Sequence, residues 1–200
     1  SCTMLCNESS GHAAGLGLEQ KANAVQCVLS NNTAGTCGGG LYLYMGGTAE
    51  HCMILKNNAR QGAGAYLNGG GTLRSCVVQS NRAEMAGGVA VVNNASGDEA
   101  PSIQSSTITG NAATETGGMY IEEDGIVRNT IIYGNSDDGG VSEYAVDGIP
   151  DIAYSCTTPD DPSFVGMVTN DPQLISSTDL RLQSTSPCIN SGINASWMTN

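Results

Sequence analysis

One short block, apolar-x-x-Asn, recurs six times along the chain: Met4-Leu5-Cys6-Asn7, Leu29-Ser30-Asn31-Asn32, Ile54-Leu55-Lys56-Asn57, Val78-Gln79-Ser80-Asn81, Ile108-Thr109-Gly110-Asn111 and Ile132-Tyr133-Gly134-Asn135. The asparagines lie 25, 25, 24, 30 and 24 residues apart. A second block follows each of them, a small pair leading into an alternating apolar run. It reads Ala14-Gly15-Leu16, Gly39-Gly40-Leu41-Tyr42-Leu43, Ala63-Gly64-Ala65-Tyr66-Leu67, Gly87-Gly88-Val89-Ala90-Val91, Gly117-Gly118-Met119-Tyr120-Ile121 and Gly139-Gly140-Val141. Five positions before each asparagine stands a third column of small side chains: Cys2, Cys27, Cys52, Cys76, Ser106 and Thr130. Three marks held in one phase define a repeat.

A period near 24 leaves no room for two helices and their turns, but it accommodates two or three short strands with tight corners, which is one coil of a parallel β-helix. The sequence therefore predicts an all-β, right-handed parallel β-helix of about 24–25 residues per coil over residues 1–150. Residues 151–200 are expected to close it as a cap of the same domain. Coils stack at the strand spacing of about 4.8 Å, so Asn7, Asn32, Asn57, Asn81, Asn111 and Asn135 should form a hydrogen-bonded ladder. Residues two apart share a face, which sends Cys27 with Leu29, Cys52 with Ile54 and Cys76 with Val78 into the lumen. Val28, Met53, Val77 and Ile131 then form an outward apolar column. The spacing of 30 adds about six residues around Asn93–Pro101, read as a tolerated loop insertion.

Composition narrows the setting. Seven Lys and Arg against 19 Asp and Glu give a net charge of −12, which supplies no footprint for nucleic acid. No stretch approaches a membrane-spanning length of apolar residues, so no membrane insertion is expected. Eight Cys, no C-x-x-C pair and only two Lys favour an oxidising, extracellular or cell-surface location over a zinc site. Cys156 and Cys188 bracket the tail and are expected to be bonded. The coil spacing also admits Cys2 with Cys27 and Cys52 with Cys76, with Cys6 and Cys37 completing an even set; the alternative is a ladder of buried free thiols.

The paired blocks resemble the repeats of chlamydial-type polymorphic outer membrane proteins, with Met, Leu, Ile or Val in place of the aromatic. The tail, Asp171-Pro172-Gln173-Leu174, Asp179-Leu180-Arg181-Leu182 and Ser186-Pro187-Cys188-Ile189-Asn190-Ser191-Gly192, is similar to the closing segment of surface-anchored bacterial β-helix proteins of the choice-of-anchor kind. It departs from that pattern at Leu174 and Asn190. Together the resemblances imply a pectate-lyase-like β-helix on an extracellular protein, and they imply no activity.

Candidate chemistry is sparse. Asp137, Asp138 and Glu143, with Asp147 and Asp151 near them and Glu122-Glu123-Asp124 one coil earlier, could hold a structural Ca²⁺; no other cofactor is indicated. His12 and His51 belong to different columns, and no nucleophile–base pair is visible, so an enzyme is not expected. Tyr42, Tyr66 and Tyr120 share one outward column, interrupted by Ala90, and form a candidate surface for glycans or a protein partner. The reading that emerges is a structural or adhesive module, with a polysaccharide-binding or polysaccharide-processing β-helix as the alternative. Self-association into filaments, or continuity with an upstream part of the same polypeptide, is expected at the N-terminal coil, with Trp197 and Met198 as candidates to reach across such a junction.

Overall fold

The computed structural model describes residues 1–92 and 99–194. Most of the inserted loop, and Trp197 and Met198, lie outside the described residues. No helix occurs among the described residues. The chain winds as a right-handed parallel β-helix of six coils, and each coil gives one strand to each of three six-stranded sheets. The third coil shows the plan: Met53–Leu55 enters the first sheet, Ala65–Asn68 the second and Thr72–Arg74 the third. The last third-sheet strand is Asp151–Ala153, paired with Ile126–Arg128, so the sixth coil runs just past residue 150.

Stacking in register makes the core. In the first sheet Leu29, Ile54, Val78, Ile108 and Ile132 lie one above another and are wholly buried. The second sheet faces them with Leu41 and Leu43, Ala65 and Leu67, Val89 and Val91, then Met119 and Ile121. From the third come Ala49, Leu73, Ile103, Val127 and Ile152. Alternation within each strand turns the intervening side chains outward, and Met53 accordingly stands 45% exposed.

The corners are made by single residues in the left-handed region. Cys6, Asn31, Lys56 and Ser80 precede the ladder asparagines with φ of 55°, 56°, 54° and 58°, and Gly110 and Gly134 continue the column. A second left-handed column, Gln26, His51, Ser75, Ser105 and Asn129, precedes the Cys, Ser and Thr column. Such a conformation costs an L-residue about 1–2 kcal/mol. It is held here because the hydrogen bonding between coils runs unbroken through the bend: the Asn31 amide donates to Leu55 and that of Lys56 to Gln79.

All eight cysteines are free thiols, so the expected disulfides do not form in this structure. For Cys52 and Cys76, in-register stacking points the Cβ vectors along parallel lines at the rung spacing, whereas a disulfide brings Cβ atoms to about 3.8 Å. Cys27, Cys52 and Cys76 instead donate to carbonyls around the corner, Cys52 to Glu50 at 3.4 Å and Cys76 to Ala49 at 3.3 Å and Arg74 at 3.2 Å. Cys2 and Cys27 approach to 2.8 Å between sulfurs, and the Cys156 thiol lies against Cys188. Cys37 faces Gln61 and Cys6 is exposed, so these two are not partners.

Candidate functional site

The most organised polar feature is internal. From Asn32 to Asn135, the side-chain oxygen of each ladder asparagine accepts from both the backbone amide and the Nδ2 of the asparagine one coil before it. Asn57 Oδ1 takes Asn32 N at 2.9 Å and Asn32 Nδ2 at 3.0 Å, and the pattern continues from Asn7 to Asn135. The remaining Nδ2 hydrogen goes to a carbonyl of the preceding coil, as from Asn57 to Leu29 at 2.9 Å and from Asn81 to Ile54 at 3.0 Å. From Asn32 to Asn135 these side chains are at most 1% exposed. Buried amides so fully satisfied support the fold and are not available to a ligand.

Glu143 terminates this ladder. Its carboxylate accepts from Asn135 Nδ2 at 2.7 Å, from the Asn135 amide at 3.1 Å and from the Gly134 amide at 2.7 Å. Burial pushes its pKa up, against these three donors. Asp137 Oδ1 accepts from the amide of Gly139 within its own turn. Arg128 is held by the carboxylate and carbonyl of Asp151. Among the described residues no group of three or more His, Cys, Asp or Glu side chains is placed to hold a metal ion. The Ca²⁺ expectation for Asp137, Asp138 and Glu143 is corrected accordingly: the third carboxylate faces inward as the cap of the ladder, because Gly140–Val141 folds back antiparallel on Ser136–Asp137 and carries Glu143 over the last asparagine.

The outer face of the second sheet carries the aromatic file. Tyr42, Tyr66, Ala90 and Tyr120 are in register. The rings of Tyr42 and Tyr66 lie 5.5 Å apart and 3° from parallel. His12, which the sequence did not place in this column, extends it. Gly17 stands opposite Tyr42 with no side chain, and the His12 ring occupies that space 5.2 Å from Tyr42, while its Nδ1 is 2.8 Å from the Thr36 hydroxyl.

The file is not the open platform that alternation alone predicts. Tyr66 is only 8% exposed, because the segments carrying Cys37, Gln61 and Met85 stack beside the sheet as a low outer wall. Cys37, Tyr66, Ala86, Ala90 and Val92 form a buried cluster beneath that wall, flanked by Tyr42, Met85 and Tyr120. Burial drives the Tyr66 hydroxyl strongly upward in pKa. Tyr120 donates to Asp147 at 2.6 Å, and that bond with burial pushes it up to about 12. The phenols stay protonated at neutral pH; with the faces of Tyr42 covered by His12 and Tyr66, that part of the file offers ring edges and hydroxyls. A wider groove of about 820 Å³ lies at the corner where Gly46–Gly47 and Gly69–Gly71 stack. Beside those glycines it is lined by Gln20, Lys21, Asn23, Met45, Thr48, Thr72 and Glu99, with no aromatic ring among them.

Fold and site together define a parallel β-solenoid with a filled lumen and one aromatic outer face. The chain matches no protein-family model, no curated protein and no solved structure.

Proposed function

We propose that this β-helix is a non-catalytic structural and adhesive module of an extracellular or cell-surface protein, and that the aromatic face is the surface it presents to glycans. The observation that carries the reading is the file His12, Tyr42, Tyr66 and Tyr120 on a rigid sheet beside its own wall. The outward ring edges and hydroxyls of the stacked file offer apolar C–H contact and hydrogen bonds to a sugar, and a platform fixed by strand register loses little freedom on binding. An enzyme of polysaccharides would need positioned acids and bases. Here the best-placed carboxylate, Glu143, and the best-placed arginine, Arg128, are committed to structural partners.

An immobilised panel of neutral glycans, probed with the wild type and with Tyr42→Ala, tests this. Tyr42 is half-buried between His12 and Tyr66, so its truncation should reduce retention about tenfold while leaving the circular dichroism unchanged. Retention of no glycan, or retention indifferent to Tyr42→Ala, would overturn the reading.

A further inference from the structure

The aromatic file has a gap. Ala90 pairs with Tyr66 on one side and with Tyr120 on the other, so one ring is missing from a ladder whose neighbours carry one. What remains is a cavity of about 110 Å³. Its floor is Ala90 and Val92, Tyr66 and Tyr120 line it from the coils on either side, and its rim is formed by Met85, Gln61 and Glu122. We propose that this gap is a binding site for a compact organic cation, an alkylated ammonium head group.

Three observations select that class. The first is spacing. Two rungs separate Tyr66 from Tyr120, about 9.6 Å, so a cation midway lies about 4.8 Å from each rung level, within the roughly 6 Å over which a ring face attracts a cation. The second is size: at about 110 Å³ the cavity is smaller than the roughly 150 Å³ pocket that admits benzene, which excludes a six-membered sugar ring with its hydroxyls and leaves room for a single compact head group. The third is charge. Glu122 contributes a carboxylate to the rim, Asp147 holds the hydroxyl of Tyr120, and the whole chain carries −12, which attracts cations and repels anions. Val92 and Met85 add apolar contact. Because the rim supplies a single carboxylate, a head group with methyls loses less hydration on entry than a primary ammonium.

The inference rests on the aromatic face being the recognition surface, and its test separates the two. Choline chloride is titrated into the protein by calorimetry at fixed ionic strength, with sodium chloride as the blank. The wild type should bind one equivalent. Ala90→Tyr restores the missing ring and should abolish binding, while Glu122→Gln, on the outer face, should weaken it about fivefold and covers the case in which Ala90→Tyr fails to fold. Phosphocholine and Nε-trimethyllysine, titrated alongside, tell a lipid- or glycan-borne head group from a peptide-borne one, and binding of either supports the site. No saturable choline binding, or equal binding by the wild type and both variants, would overturn the proposal. Glycan retention that depends on Tyr42 without choline binding defeats the cation site alone. Choline binding without glycan retention defeats the glycan reading alone.

Discussion

At the scale of the residue, the ladder asparagines are held to their identity by arithmetic of donors and acceptors. Asn57 gives two hydrogens away and receives two, all inside the protein. Asn57→Ala would leave the amide and Nδ2 of Asn32 without their acceptor and take from the carbonyl of Leu29 its side-chain donor. Each orphaned buried group costs about 1–3 kcal/mol, so chemical denaturation should register a loss of about 3 kcal/mol or more; a loss below 1 kcal/mol would mean that water replaces the amide. Glu143 adds a pH dependence. Its pKa is raised in the folded state by burial, so its contribution to stability is complete below the ordinary carboxylate value near 4.3 and is lost as pH rises through the higher folded value. Thermal melts of the wild type and Glu143→Gln should therefore show the wild type's advantage shrinking between pH 4 and pH 7. An advantage that grows over that interval would show that the three N–H donors outweigh burial.

At the scale of the element, the asparagine and glycine blocks keep one phase because they touch. A Cβ on Gly64 would lie 2.5 Å from the Gly88 carbonyl oxygen, 2.5 Å from Val78 Cγ1 and 2.9 Å from Asn81 Nδ2, and Gly15, Gly40, Gly88 and Gly118 likewise seat the next ladder asparagine. Gly64→Ala should lower stability by about 2–3 kcal/mol, read as a shift in the urea midpoint at unchanged slope; a neutral result would imply that the coil can slide outward. This coupling is why the fold was legible from sequence: the period, the inward alternation and the asparagine spacing all follow from contacts between equivalent residues. Other features have no periodic signature. The left-handed corners are filled by Cys6, Asn31, Lys56 and Ser80, side chains with no turn preference in common, and only Gly110 and Gly134 announce the bend. Glu143 reaches the ladder through an antiparallel fold-back that breaks the repeat, so its sequence position suggested a surface carboxylate. The Tyr column could be read from alternation. The wall that half-covers it comes from isolated bridges between Cys37, Gln61 and Met85, and side chains so unlike one another leave no pattern to find.

At the scale of the whole molecule, each coil gains its buried surface only from its neighbours, so stability should be distributed along the axis and not uniform across it. The middle coils have a stacked partner on both sides: Ile54 and Val78 are fully buried and their asparagines are bonded above and below. The first described coil has a partner on one side only, and its inward residues Met4 and Leu16 are incompletely covered. At the other end, residues after Ala153 are tied by single bridges, such as Cys156 to Val168 and Leu174 to Leu182. Amide hydrogen exchange reads this directly, because local opening free energies range from near zero at fraying ends to the global value in the core. Protection should peak in Met53–Leu55, Val77–Gln79 and Thr107–Thr109, fall in Thr3–Leu5, and be lowest in the tail. Oxidation should sharpen the profile at one end. Incubated with oxidised glutathione, which leaves as two molecules of reduced glutathione, the facing thiols of Cys156 and Cys188 would be joined, and a cross-link of that kind is worth about 2–4 kcal/mol. Exchange in the tail should then slow while that of Thr3–Leu5 stays unchanged. Uniform protection from end to end would show that the six coils unfold as one unit, and that the nearest-neighbour picture does not apply to a solenoid this short.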